Sequence, residues 1–255
     1  MKSLINHQKQ IREKLKNGIP VIGSWQQIPE PSISEILANS GYDWIAIDLE
    51  HGSIGATVLP NLIRAIEKYD CLPIARIAEP SEFFCKQALD AGAGGLIIPM
   101  IESAEQLDRL IKSSNLPPIG NRGVGYSRSN LYGKNFNDFI KNPSKPIIIA
   151  QIENIKALQN LDDILNVELL DGIMVGPYDL SASMNMTGDF LNTKFLEAMN
   201  EILLKCKEHN VVCGDHIVIP EKNKLIKRLN EGYNFIAYGT DGIFLNISSK
   251  LPEIK

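Results

Sequence analysis

The sequence predicts a single closed (β/α)8 barrel of parallel strands, with residues 1–255 forming one α/β domain. Three observations predict it. Eight short apolar runs rich in β-branched residues recur along the chain, and most are followed by a longer amphipathic stretch. The runs are continuously apolar and not alternating, as strands buried on both faces require. No Gly/Ser/Pro-rich linker divides the chain, and no GxGxxG follows the first run, which disfavours an open doubly wound sheet with an appendage.

In chain order the strand candidates are Val21–Trp25, Trp44–Asp48, Leu72–Ile77, Gly95–Met100, Pro146–Glu153, Gly172–Val175, Val211–Cys213 and Phe235–Tyr238. Helical spacing of apolar residues falls between them. Ser32–Ala38 opens on a capping-type serine, and Leu59–Lys68, Phe83–Ala91, Ala104–Ser113, Ile155–Leu165, Asn192–Glu208 and Pro220–Asn230 follow. Ala91-Gly92 and His209-Asn210 supply the expected helix stops. The longest interruption, Asn115–Lys145, is too Gly-rich and polar for one helix and is expected to form a functional loop at the barrel mouth.

Composition narrows the function. Apolar residues make up 44% and charged residues 22%, which is ordinary globular usage. A net charge of −4 leaves no electrostatic footprint for nucleic acid. No run approaches the ~18 apolar residues of a membrane span, and the amino terminus has no signal-peptide core. Cys71, Cys85, Cys206 and Cys213 lack CxxC spacing and read as reduced thiols, mostly buried, of a cytoplasmic protein.

In such a barrel the chemistry sits at the carboxyl ends of the strands, and that is where the unusual polar residues fall. Trp25 closes the first run, Asp48-Leu49-Glu50-His51 the second, Arg76 the third, Gln151 and Glu153 the fifth, and Gly176-Pro177-Tyr178-Asp179 the sixth. Two strand-end acids, Glu153 and Asp179, suit a hard divalent cation that keeps sites open for substrate oxygens. The alternative reading is local: Asp179 caps the helix that follows, and Glu153 pairs with Lys156. His51 lies beside acids that could hold one ring nitrogen and free the other for proton transfer, with His216 as its rival at the same mouth. Arg76, inside an apolar strand, calls for an anionic partner, either Asp48 or Glu50 or a substrate oxyanion. Asp90 sits at the unfavourable end of a helix, which hints at a partner of its own.

Taken in order, Gly23-Ser24-Trp25, Gly41-Tyr42-Asp43-Trp44-Ile45-Ala46-Ile47-Asp48-Leu49-Glu50-His51-Gly52, Ala88-Leu89-Asp90-Ala91-Gly92-Ala93, Arg122-Gly123-Val124-Gly125, Gln151-Ile152-Glu153 and Gly176-Pro177-Tyr178-Asp179 resemble the HpcH/HpaI aldolase family. The resemblance runs over nearly the whole chain. It implies a TIM barrel whose last helix is exchanged between subunits of a homo-oligomer, a trimer or hexamer. It implies a class II aldolase that reversibly cleaves a 4-hydroxy-2-keto acid to pyruvate and an aldehyde through a metal-stabilised enolate. By the same resemblance Glu153 and Asp179 are the metal ligands, with Mg²⁺ or Mn²⁺ expected ahead of Co²⁺ or Zn²⁺. His51 is then the general base or acid, Arg76 stabilises the enolate, and Asp48 and Asp90 support His51. Gln151 and the backbone at Tyr178–Asp179 hold the pyruvyl portion, and Trp25 lines the pocket. Tyr178 stands where family members often carry a small residue.

Two other readings remain open on the residues. One is a citrate-lyase-β-like enzyme acting on a coenzyme A thioester or a phosphoenolpyruvate-type substrate. The other is a non-catalytic barrel, against which the retained charges at the strand ends speak. A Schiff-base route is disfavoured because the lysines lie in helical or loop stretches.

Overall fold

A computed structural model describes residues 2–252. Its eight strands are β1 (Val21–Gln26), β2 (Trp44–Asp48), β3 (Leu72–Arg76), β4 (Gly95–Ile98), β5 (Ile147–Ile152), β6 (Gly172–Val175), β7 (Val212–Ile217) and β8 (Phe235–Thr240). Each pairs in parallel with its sequence neighbours, and β8 pairs with β1 to close the barrel. The expected strands are all present, and three run past the ends of the apolar runs, β1 by Gln26 alone. β7 continues through Asp215 and His216, and β8 through Gly239 and Thr240, so polar residues ride on the strands themselves.

Period-two alternation explains which side chains point inward. The interior cluster takes Trp44 and Ala46 from β2, Leu72 and Ile74 from β3, Ile147 and Ile149 from β5, and Phe235 and Ala237 from β8. Two residues further along these series stand Asp48, Arg76 and Gln151; on β7, Val212 and Gly214 are followed by His216. The lower layers are therefore apolar and the uppermost inward layer is polar. A separate, larger cluster buries the outward strand faces against the surrounding helices.

At the amino-terminal end the helix Lys2–Lys16 closes the barrel. Ile11 and Leu15 join the interior cluster, the Gln8 amide donates to the Gly94 carbonyl at 2.7 Å, and Arg12 grips Asp171 at 2.6 Å. His7 of this helix is half-buried and pairs with Asp70 at 2.7 Å.

The segment 115–145 corrects an expectation. It joins the helix Ala104–Ser114 to the start of β5, and so it lies at the amino-terminal end of the barrel, away from the mouth. Its arginines fix it there: Arg122 binds Asp90 at 2.7 Å, and Arg128 binds Glu67 and the Ala91 carbonyl, which closes the helix Glu82–Ala91. It carries a short 3-10 turn, Arg128–Asn130, and a helix, Phe136–Lys141. The helical stretch expected over Ile155–Leu165 is interrupted at Asn160.

Close packing at the barrel floor depends on a missing side chain. The Trp44 indole stacks on the Phe235 ring with centroids 4.4 Å apart, and a Cβ on Gly23 would fall inside that indole. Gly23→Ala is therefore expected to destabilise the protein by about 1–3 kcal/mol, the usual cost of overpacking a filled core. A lowered urea midpoint at constant slope would register it, and an unchanged midpoint would show that the floor can relax.

Candidate active site

The carboxyl ends of the strands enclose a cavity of about 340 Å³, lined by Trp25, His51, Arg76, Gln151, Tyr178 and Asp179 among others. Six of the sequence-predicted residues thus meet on one hollow. Glu153 and Asp48 lie directly behind it, bonded to the lining residues Gln151 and Arg76.

Arg76 is the centre of the arrangement. Asp48 opposes it in the β2–β3 register and receives its Nε at 2.9 Å and its Nη2 at 2.6 Å. Glu50 approaches Nη1 at 3.0 Å, an ionic contact without hydrogen-bond alignment, since Glu50 Oε2 keeps no hydrogen-bonded partner. The Trp25 ring lies against the guanidinium, 4.3 Å from Cζ to centroid. The alternatives open at Arg76 are therefore resolved as two acid partners together. Burial works against ionised Asp48, but the bonds from Arg76, Gln27 and the His51 amide outweigh it and hold the carboxyl below its ordinary value. Burial raises Glu50 above the usual carboxylate range, and the charges of Asp48 and Asp179 add to the shift against the pull of Arg76.

Glu153, just past β5, is buried, and neither of its oxygens meets a cation. Oε1 accepts the Met100 amide at 2.6 Å, and Oε2 accepts the Gln151 amide at 2.5 Å. Lys156 pairs with Glu102 instead, so the local salt bridge weighed for Glu153 does not form. Burial, with Glu50 and Asp179 nearby, pushes the Glu153 pKa up to about 7 against those two hydrogen bonds. Gly176 makes room for the carboxylate: a Cβ there would stand 2.5 Å from Oε2. Met100 presents its amide from a left-handed backbone, φ 50°, which costs a non-glycine residue about 1–2 kcal/mol. Asp179 lies in the first turn of the helix Pro177–Ser183, exposed at the cavity.

These residues fit a divalent cation. The acids are crowded and mutually repelling, Gln151 Oε1 is buried with no partner, and all the donors are oxygens. Among the described residues no three ligating side chains converge.

Two expected supports for His51 take other partners. Asp48 meets His51 through the backbone N–H at 3.2 Å, and its carboxylate is committed to Arg76 and Gln27, so it does not orient the ring. Asp90 sits with Arg122 at the opposite end of the barrel and cannot reach His51 of the same chain. The helix-end acid did have a partner, a guanidinium from the following segment. Sequence reasoning gave no role to the Met100 amide, to Gly176 or to the Asp241 carboxylate. That carboxylate accepts the Gln27 and Ile28 amides at 2.8–3.0 Å and pins the loop after β1. Asp241 ends the run Ala237-Tyr238-Gly239-Thr240-Asp241, an acid directly after the last strand.

The raised Glu153 value has a pH consequence. The folded state holds this proton more tightly than the unfolded chain, whose carboxyl titrates near 4.5. The stabilisation is complete below that pH and is lost as pH rises through about 7. In EDTA the wild type should thus lose on the order of 2–3 kcal/mol between pH 4.5 and 8 relative to Glu153→Gln. Denaturant melts of both proteins across that range check it; parallel curves would refute it.

A sequence profile of the HpcH/HpaI aldolase/citrate lyase family matches residues 22–246. The 2-keto-3-deoxy-L-rhamnonate aldolase of Salmonella gallinarum is 35% identical over 96% of this chain and 92% of its own. An HpcH/HpaI aldolase/citrate lyase family protein from Burkholderia cenocepacia superposes with a TM-score of 0.89 at 27% identity, covering 94% of this chain and 96% of that one. The citrate synthase SbnG follows at 0.79 and 28%, over 93% and 94%. The shared barrel, the acids at its mouth and the match over nearly the whole sequence together place this chain in the HpcH/HpaI aldolase/citrate lyase family.

Proposed function

We propose that this protein reversibly cleaves a 4-hydroxy-2-keto acid to pyruvate and an aldehyde, as a carbon–carbon lyase of the 4.1.2 type. The observation that carries the proposal is the buried Glu153 carboxylate, which meets no cation among the described residues and lies directly behind a cavity lined by Asp179, Arg76, Gln151 and His51.

Glu153 and Asp179 would hold a divalent cation, Mg²⁺ or Mn²⁺ given an all-oxygen donor set. When bound, that ion supplies Lewis-acid polarisation of the 2-keto oxygen. Gln151 and the backbone at Tyr178–Asp179 orient the pyruvyl end, and the Trp25 ring closes one side of it. His51 takes the proton of the C4 hydroxyl. As the C3–C4 bond breaks, its electron pair moves toward the 2-oxygen and the C4 oxygen becomes the aldehyde carbonyl. Arg76, fixed in advance by Asp48 and Glu50, faces the charge that builds on the 2-oxygen, and this preorganisation favours the transition state over the neutral ketone. Protonation at C3 then leaves pyruvate.

The proposal includes assembly by exchange of the last helix. Asp241–Ser248 follows β8 and exposes Leu245 and Ile247, while an apolar groove of about 670 Å³ runs between the helices Thr193–Glu208 and Lys222–Glu231. Four buried free cysteines suit a reducing, cytoplasmic setting, and among the described residues no helix is long and apolar enough to cross a membrane.

Pyruvate release from 2-keto-3-deoxy sugar acids, read by coupled lactate dehydrogenase, tests the activity. EDTA should abolish it and Mg²⁺ or Mn²⁺ restore it. Glu153→Gln and Asp179→Asn should each lower kcat/KM by about 100-fold or more, and His51→Gln by about 10²–10⁴-fold. Full activity in EDTA would sink the reading. For assembly, light scattering should give the mass of a trimer or hexamer, and Leu245→Asp should shift it toward monomer; a monomeric wild type would contradict exchange.

A further inference from the structure

Among the described residues six buried side-chain polar atoms lack any partner, and three of them, Trp25 Nε1, Gln151 Oε1 and His216 Nε2, belong to residues lining the one mouth cavity. Unsatisfied buried polar groups are rare in folded proteins, so their concentration here marks where a ligand supplies the missing bonds. The mechanism above uses Trp25 and Gln151. It leaves His216 without a task.

We propose that His216 is a specificity-determining residue whose imidazole hydrogen-bonds a hydroxyl on the aldehyde-derived part of the substrate. The inference rests on the aldolase reading and deepens it. His216 continues the inward series Val212–Gly214 on β7, across the barrel from Arg76 on β3. Its ring packs on Trp25, with centroids 5.5 Å apart and planes tilted by 36°. The wall it belongs to continues through Val218, Thr240 and Ile243 and carries no charge. The pyruvyl end, by contrast, is assigned to Gln151 on β5, the turn after β6 and Arg76 on β3, with the Trp25 ring of β1 standing between that end and His216. The carbon chain beyond C4 is what remains for the β7–β8 wall.

The electrostatics select the kind of group. Arg76 is the one cation among the described residues lining the cavity, and Asp48 and Glu50 already flank it. Burial first, and then the Arg76 charge, lower the His216 pKa to about 4, so the ring offers no positive charge near neutrality. Within this cavity a second carboxylate on the aldehyde would find no counter-ion besides Arg76; Lys224, Lys227 and Arg228 belong to the adjoining groove, which shares His216, Val218 and Ile243. A hydroxyl can donate to or accept from an imidazole nitrogen in either tautomer.

The test compares wild type, His216→Leu and His216→Gln in Mg²⁺. Pyruvate C3 proton exchange in D2O, followed by NMR, reports enolisation without any aldehyde. Condensation of pyruvate with lactaldehyde, propanal and succinic semialdehyde then reads the wall, the first two being three-carbon aldehydes that differ by one hydroxyl. The expected result is a wild-type preference for lactaldehyde over both others. His216→Leu should lose at least 10-fold in kcat/KM for lactaldehyde, stay within 2-fold for propanal and for proton exchange, and recover in part as His216→Gln. Equal losses on lactaldehyde and propanal, or a slowed exchange, would overturn the assignment. Histidine ¹⁵N spectra provide a readout independent of turnover: lactaldehyde with pyruvate should shift the His216 resonance, and propanal with pyruvate should not. An unshifted resonance refutes the role of His216. Absent proton exchange in wild type refutes the aldolase reading instead, so the two failures are told apart.

Discussion

Four carboxylates, those of Asp48, Glu50, Glu153 and Asp179, share the mouth of the barrel with one guanidinium, that of Arg76. Charge taken out of water is costly unless it is matched, and here the match is uneven. Asp48 takes the largest part of Arg76 and is held ionised. Glu50 takes a poorly aligned remainder and is raised. Glu153 receives only amide hydrogens and is driven up to about 7. A structural salt-bridge network would balance its charges. This one is short of positive charge on the β5–β6 side, and on the proposed reading a divalent cation would meet that shortage.

The barrel makes such an arrangement affordable. Inward positions alternate along every strand, so one polar layer at the top can be stacked on apolar layers beneath it without disturbing them. Trp44 on Phe235 and the amino-terminal helix seal the lower end. Against that floor the top carries local costs: the left-handed Met100, the glycine at 176 that lets Glu153 approach, and a register shift between β1 and β8 near Gly23 and Trp25. These irregularities all bear on cavity residues or on the groups that hold them. Stability is concentrated at one end and chemistry at the other.

Strand order and most of the cavity were legible because both follow from local pattern. Buried parallel strands read as apolar runs, and a polar residue at the end of such a run has one place to go. Trp25, Arg76, Gln151 and Asp179 were found in this way. His216 was visible only as a rival to His51, because Gly214 and Asp215 ended the apolar run early and hid two inward positions of β7. Asp90 and the segment 115–145 were misplaced for a different reason. Polarity and glycine content mark a loop, but which end of the barrel it occupies depends on whether it follows a strand or a helix, and this segment follows the helix Ala104–Ser114. The Met100 amide left no trace, since backbone donors carry no residue signature.

Arg76 links the structural and chemical demands, and they cannot be separated by removing it. Its loss would leave Asp48 buried without its main partner and would also free the Trp25 ring on which it rests, so an inactive variant would report the collapse of the mouth as readily as the absence of a charge. Glu153 differs. It contributes no salt bridge to the fold, and burial as a neutral acid suits it better than ionisation. An acid that the fold favours in its neutral form takes on its charge only for a partner that binds it. The functional reading is therefore better founded on the acid that the fold does not need than on the arginine that it does.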